Sequence, residues 1–434
     1  MIDQNLAGLV MIGLLAVLLL IGMPIGLGLA AAGITGLLLT RGWIPLEFLI
    51  GTFAYAYTAN LAFIVLPLFL FMGHMTFATG VSERAFVAAQ RLVGNVSGGL
   101  GMATVAASAG FAMVCGSSVA SASTIGKIAI PEMLKRGYAP QLAAGVVVAG
   151  GTLGVLIPPS GVLVVYSIAT QTSLVDLFLA ALLPGIITAI AYALVLYGMV
   201  RIKPSLGGTP VAPAPGGKLK ALLSSWEIVL LFLVVMGGIY LGITTATESA
   251  ALGALFAALL VLRHKGAGKL RILRESLFDS GSATASIFLL IIGAGLFSMA
   301  LATTQVPVRM ADWAISFSDN RYVVLMLVLL PFFVLGMFVD GISMLLLMLP
   351  IVLPVITKLG FDPVWFGIVV TKTVEIGLMT PPVGLNVFVV HGVAPQIPIP
   401  TIFRGSVPFI VVEILLVGAL IVWPEMTQVL MPLK

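Results

Sequence analysis

GTLGVLIPPSG at 151–161 and VEIGLMTPPVG at 374–384 set the plan of this chain. Each is an apolar run that meets a Pro-Pro pair and then a glycine. A shift of 223 residues lays one on the other, and the match extends outward. GYAP at 137–140 falls on GFDP at 360–363, Pro131 on Pro354 and Lys135 on Lys358, with no gap between 128 and 164. The two halves therefore repeat one backbone design. In a helix each N–H bonds the carbonyl four residues back, and proline has no N–H. Pro158 and Pro159 thus release the carbonyls of Gly154 and Val155, and Pro381 and Pro382 release those of Gly377 and Leu378. One such pair reads as a kink, satisfied by a hydroxyl or a water. Two at equivalent places read as ion or substrate sites, because a free carbonyl is costly in lipid and paired broken segments point to the site of a transporter.

Composition supplies the setting. Of 434 residues, 60% are hydrophobic and 9% charged, against about 25% charged in an ordinary soluble domain. So few charges cannot cover a water-facing surface. Soluble globular proteins, disordered chains and nucleic-acid binders are excluded, and the 48 glycines follow no collagen-like triplet. Long unbroken apolar runs read as helices, not as the alternating strands of a barrel. The chain is predicted to be an all-α polytopic membrane protein. Its 21 Lys and Arg exceed 16 Asp and Glu by five, an excess that belongs in cytoplasmic loops. Cys115 is the single cysteine, which excludes an intramolecular disulfide and a multi-cysteine metal site. His74, His264 and His391 are scattered along the chain. The MIDQN start has no basic region before its apolar run, so that run reads as a retained span.

Leu6–Thr40, interrupted by Pro24, suits two spans with a tight turn near Gly22–Gly26. A second apolar run covers Phe48–Met75. Ser82–Val93 is amphipathic and carries Glu83, Arg84 and Arg91, as an interfacial helix does. Apolar sequence resumes, broken at 116–126 by GSSVASASTIG and at 157–161 by IPPSG, and Leu174–Val200 is a further span. Arg201–Ser225 is a Pro/Gly-rich linker with Arg201, Lys203, Lys218 and Lys220. A second basic cluster holds Arg263, Lys265, Lys269, Arg271 and Arg274. If both are cytoplasmic, Trp226–Leu262 goes out and returns, turning at TTATES, 244–249, beside Glu248. Residues 116–140 carry Lys127, Lys135 and Arg136 against Glu132, while 339–363 carry Lys358 against Asp340 and Asp362. The opposite signs predict that the repeats are inverted across the membrane.

Polar residues are concentrated near the breaks. Ser117, Ser118, Ser121, Ser123 and Thr124 put five hydroxyls into eight residues. They can meet a cation or a carboxylate, whereas close helix packing needs only that the residues be small. Asp340, with Gly341 and Ser343, occupies the matching part of the second repeat. It reads as a sodium ligand, a proton acceptor or a helix N-cap. Thr371, Thr373, Thr380 and Asn386 flank the second break. Lys372 and Glu375, spaced i,i+3, read as a pair. His74, His391 and Cys115 read as structural residues.

GSSVASASTIG, PEMLKRGY, GTLGVLIPPSG, GFDP and TPPVGLN together resemble the large membrane subunit of tripartite ATP-independent periplasmic (TRAP) transporters, over nearly the whole chain. The resemblance implies a sodium-driven secondary transporter that imports an organic acid with no other cofactor. It implies two partners, a periplasmic substrate-binding protein and a small four-helix membrane subunit. It places the chain as a multi-pass protein in a bacterial inner membrane. It implies an elevator-type architecture: two inverted-topology repeats, each with a re-entrant helical hairpin and a broken helix. The hairpin tips would lie at 116–126 and 340–348. One sodium would sit against Ser117, Ser118, Gly154, Ile157 and Pro159, and another against Asp340, Gly341, Gly377, Thr380 and Pro382. The substrate carboxylate would lie between the tips, near Ser118, Ser121, Ser160, Gly341, Ser343 and Asn386.

The same resemblance divides the chain into scaffold and first arm at 1–96, mobile repeat units at 97–173 and 322–396, scaffold with linker and second arm at 174–321, and a terminal scaffold helix at 397–434. Arm helices would run over 82–93 and 305–317. The approach NLAFIVLPLFL at 60–70 departs from the family pattern, and SMLLLMLP in the second hairpin is poor in hydroxyls. The chain's length leaves no room for the fused small subunit of some relatives, so the resemblance leads one to expect a separate small subunit. A proton-coupled carrier using Asp340, Glu375 or His391 is the main rival, and a passive channel is a lesser one. An intramembrane protease is disfavoured: GxSxG and HExxH are absent, and Asp340 lacks an evident catalytic partner.

Overall fold

The breaks at the two Pro-Pro pairs organise the whole molecule. The computed structural model describes residues 3–59, 61–210, 225–263 and 268–430, with the backbone alone at 56, 57 and 62. All regular structure among these residues is helical. In the first repeat, α1 (Gln4–Leu20), α2 (Ile25–Arg41), α3 (Trp43–Thr58), α4 (Val65–Ala78) and α5 (Val81–Val93) precede α6 (Gly99–Cys115). Then come α7 (Ser118–Lys135), α8 (Pro140–Leu156), α9 (Gly161–Thr170) and α10 (Leu174–Ile202). α11 (Trp226–Tyr240) and α12 (Ala246–Arg263) form the connecting pair. The second repeat holds α13 (Lys269–Ala302), α14 (Val306–Ser316), α15 (Arg321–Gly336), α16 (Gly341–Lys358), α17 (Pro363–Met379), α18 (Leu385–Val393) and α19 (Ile399–Val422). Among the described residues, six helices, or up to seven if a bent pair counts as one span, are long and apolar enough to cross a membrane.

The 223-residue shift now applies to elements. α7 and α16 start and end one shift apart, and so do α8 and α17. Local chemistry explains the shared boundaries. Ser117 caps α7 by accepting from Ala120 N, and Asp340 caps α16 by accepting from Ile342 N and Ser343 N. Such caps satisfy N–H groups that a helix start leaves open. Pro140 and Pro363 open α8 and α17 at the first turn, where a missing N–H costs nothing.

Several expectations need correction. The 48–75 run is two helices with a 3-10 turn at Leu61–Ile64, because Pro67 is accommodated in the first turn of a new helix but not in the middle of a longer one. The expected break at 116–126 narrows to Gly116 and Ser117, and the remaining small residues continue as α7. Only Gly116, at φ 62°, needs the left-handed conformation. The turn expected near Gly22–Gly26 falls at 21–24, and the one expected in TTATES, 244–249, is confined to its start at 244–245, where Thr245 and Glu248 bond each other's ends as a capping box. Residues 211–224 of the linker, His264 and Lys265 lie outside the described residues.

Two bodies emerge from the packing. α2 packs against α1 and α13, and α4 against α12 and α13. The other body joins α6–α10 with α15–α19. α10 and α19, expected among the scaffold helices, pack on α8 and α17 at the centre of this second body. Gly145 of α8 and Gly405 of α19 cross so closely that a Cβ on either would strike the opposing backbone, a small-residue contact of the kind membrane helices use. The short helices past the breaks are exchanged between repeats: α9 packs on α16, and α18 packs on α7. α5 and α14 lie close to the expected arms at 82–93 and 305–317. α5 bends 67° from α4 and pairs Arg84 with Glu227 of α11 at 3.2 Å. Asp312 of α14 pairs with Lys358 at the end of α16.

Candidate ion and substrate site

Each hairpin tip is pinned to the break of its own repeat by a glycine N–H. Gly161 N donates to Gly116 O at 3.3 Å, and Gly384 N donates to Met337 O at 2.9 Å. Gly161 and Gly384 are one repeat shift apart. In the first repeat, Cβ atoms on Gly116 and Gly154 would fall 2.9 Å from Pro159 O and 2.7 Å from Ser117 O. The structure thus gathers Ser117, Gly154 and Pro159 with their carbonyls, and Ile157 and Ser118 adjoin them in the chain. Backbone oxygens at a broken helix suit a hard cation. Pro158, Pro159 and Ser160 are buried, and Ser160 caps α9 by accepting from Leu163 N.

The second repeat differs in detail. A Cβ on Gly377 would lie 2.6 Å from Gly336 C, so tip and break meet through Gly336 and Met337. Asp340 is exposed and serves as the N-cap of α16, the third of its expected roles. Gly377 O is not left wholly free: it accepts Thr380 N–H at 3.0 Å, while Thr380 Oγ1 donates to Ile376 O at 2.6 Å. A carbonyl has two lone pairs, so Gly377 O keeps one for another partner. Gly341 packs toward Val374 and Val162, and Pro381 and Pro382 are exposed, unlike their buried counterparts. Gly336 and Met337 escaped sequence reading because the gapless repeat match begins after the tips.

The expected substrate residues lie inside the packing. Ser118, Ser121, Ser160, Ser343 and Asn386 are all buried. Ser121 Oγ and both amide atoms of Asn386 have no hydrogen-bond partner among the described residues, and such groups call for an explanation in a folded protein. Open space lies on the other face of α7. A cavity of about 450 Å³ is lined by Ser117, Ser123, Thr124 and Lys127 of α7, His74 of α4 and Asp279 of α13. Its size falls within the usual ~300–1,000 Å³ of small-molecule sites. It runs between the two bodies, beside the N-terminus of α7, an end that favours anions. Lys127 was seen in the sequence only as a loop-side charge, because composition does not tell which face of a helix meets a cavity. His391 Nδ1 lies 3.0 Å from Ile397 O, the structural contact expected of it.

Lys372 and Glu375 pair at 3.0 Å as their spacing predicts. Lys372 also meets Thr188 and Glu413, and Glu413 in turn meets Tyr192, three residues from distant helices that sequence reading missed.

The model of one protein family, the tripartite ATP-independent periplasmic transporter DctM component, matches residues 12–426. The C4-dicarboxylate TRAP transporter large permease protein DctM of Pseudomonas aeruginosa is 36% identical over 83% of this chain and 83% of its own length. The sialic acid TRAP transporter large permease protein SiaM of Vibrio cholerae is 32% identical over 95% of this chain and 96% of its own. The crystal structure of the YdaH transporter of Alcanivorax borkumensis superposes with a TM-score of 0.67 at 15% identity, covering 89% of this chain and 90% of that one. This last likeness concerns the fold.

Proposed function

Because the chain belongs to the DctM component family of tripartite ATP-independent periplasmic transporters, and is thus a multi-pass large permease rather than an enzyme, we propose that it imports an organic acid anion on a sodium gradient. The observation that carries this reading is that Gly161 and Gly384, one repeat shift apart, each donate to the C-cap carbonyl of the helix that leads into the hairpin of their repeat, Gly116 and Met337. Each tip-and-break pair holds backbone oxygens whose helical donors are prolines. Sodium binding there would satisfy the lone pairs of those oxygens and fix the tips.

The anion would then occupy the cavity beside α7, with Lys127 and the helix N-terminus facing its carboxylate. Burial of Ser118, Ser121 and Asn386 fits a supporting role behind that face. The named relatives carry a C4-dicarboxylate and a sialic acid, and both are carboxylates. The partners in this reading are a periplasmic substrate-binding protein that delivers the anion and a separate small membrane subunit, with the complex in the bacterial inner membrane.

Transport would proceed by sliding of one body past the other, with α5 and α14 as braces. The packing of α10 and α19 on α8 and α17 supports a reading in which these two helices travel with the moving body, rather than the scaffold role read from the sequence. Each net positive charge carried inward gains about 2.3 kcal/mol per 100 mV. More sodium charge than substrate charge therefore drives accumulation.

The test is uptake of labelled C4-dicarboxylate or sialic acid into liposomes holding the chain with its small subunit and binding protein. Uptake with an inward sodium gradient, and its loss when potassium replaces sodium, is the expected result. Equal uptake in both salts would reject sodium coupling.

A further inference from the structure

A sealed polar cluster sits at the centre of the second body, apart from both tips. Lys372 and Glu375 of α17, Tyr192 and Thr188 of α10, Thr152 of α8 and Glu413 of α19 are each at most 1% exposed. The Lys372 ammonium donates to Glu375 Oε2 at 3.0 Å and Thr188 Oγ1 at 3.2 Å. It also lies in ion-pair contact with Glu413 Oε2, which has no hydrogen-bond partner among the described residues. Thr188 gives its own proton to Pro184 O at 2.7 Å, and Thr152 gives its proton to Ala149 O at 2.7 Å. Tyr192 OH then touches two acceptors, Thr152 Oγ1 at 3.2 Å and Glu413 Oε1.

The hydroxyl protons fall one short. Tyr192 has a single proton for two contacts, because that of Thr152 is already committed. The charges are also out of balance: one ammonium faces two carboxylates, a net −1 if both are ionised. An uncompensated charge is expensive in such an interior. One added proton on Glu413 Oε1 resolves both problems. Glu413 then donates to Tyr192, Tyr192 to Thr152, and Thr152 to Ala149 O. Glu413 Oε2 stays beside the Lys372 ammonium, and the cluster becomes neutral. Glu375 is the poorer holder, because its Oε1 has no partner among the described residues and a proton there would meet no acceptor.

We infer that Glu413 holds a resident proton at neutral pH, and that Glu375 alone is the carboxylate paired with Lys372. The proton is part of the fold, not cargo, because the cluster is closed to solvent. It lets α8, α10, α17 and α19 be tied by charged and polar bonds without placing a net charge in the moving body. Glu413 is thus a positioning residue, and this role stands whether or not sodium drives the carrier.

The experiment is isotope-edited infrared spectroscopy of the purified full chain in lipid at neutral pH, read alongside uptake and thermal stability. A protonated-carboxyl C=O band is expected in the wild type. It should vanish in Glu413→Gln and persist in Glu375→Gln. Glu413→Gln supplies an amide N–H to Tyr192 and a carbonyl to Lys372, so it should keep at least half of wild-type uptake and an unchanged melting temperature. Glu375→Gln should lose at least tenfold in uptake. A wild type without the band, a band that vanishes on Glu375→Gln and persists in Glu413→Gln, or equal losses of uptake in both variants would overturn the inference.

Discussion

Replacing Gly154 by valine is expected to lower uptake by about 100-fold, which is ~2.7 kcal/mol of barrier, while the protein still folds. The cause is local. A Cβ at 154 would meet Ser117 O at 2.7 Å and Ser117 C at 3.1 Å. Both are backbone atoms of the first tip, so no side chain can swing aside. The tip must lift from the break, and the carbonyls of Ser117 and Pro159 lose their common geometry. Overpacking of this kind costs typically about 1–3 kcal/mol of stability, which a membrane protein of this size tolerates. Gly198→Ala is the control: it lies on α10, and a Cβ there meets nothing within 4 Å. Uptake by both variants in liposomes, normalised to folded protein, measures the effect. Wild-type uptake by Gly154→Val would show that the tip contact is dispensable.

Lys372→Met is expected to destabilise the chain by about 3–5 kcal/mol, the usual cost of removing one partner from a buried ion pair. Lys372 is 1% exposed and touches Glu375, Glu413 and Thr188. Methionine fills much of its volume but leaves the Glu375 carboxylate without a cation. Adding Glu375→Gln should restore most of the loss, since the stranded charge is then gone. Thermal unfolding of the two variants in the same detergent gives the comparison. A single variant as stable as the wild type, or a double variant no better than the single, would contradict this assignment of charge.

The sequence carried the backbone plan further than the side-chain plan. Proline and glycine act locally, so the Pro-Pro breaks, the glycine turns and the repeat shift could be read from position alone. Asp340 could likewise be read as a helix cap, because a cap needs only the next three residues, whereas Ser117 was read only as one hydroxyl of a cluster. The partners of Lys372 were different. Glu375 lies one helical turn away and was legible, whereas Glu413 and Thr188 reach it only after α19 and α10 pack on α17. The hydroxyls of GSSVASASTIG were legible as a polar cluster but not as two faces. Helical periodicity turns Ser117, Thr124 and Lys127 toward the cavity and Ser118 and Ser121 into the core. The packing of α10 and α19 on α8 and α17 was not legible either, since an apolar helix suits a lipid-facing scaffold and a buried core equally well.

The dependence of uptake rate on sodium concentration tests the central claim most directly. Two tip-and-break sites that must both fill give a rate that rises with a Hill slope above one, bounded by the number of sites. Asp340→Asn supplies the comparison, because asparagine caps a helix as well as aspartate does but removes the charge at the second tip. The account predicts a slope above one in the wild type and a higher half-saturating sodium concentration in Asp340→Asn, with uptake at saturating sodium retained. A rate that does not depend on sodium, or a simple hyperbola unchanged by the substitution, would contradict it.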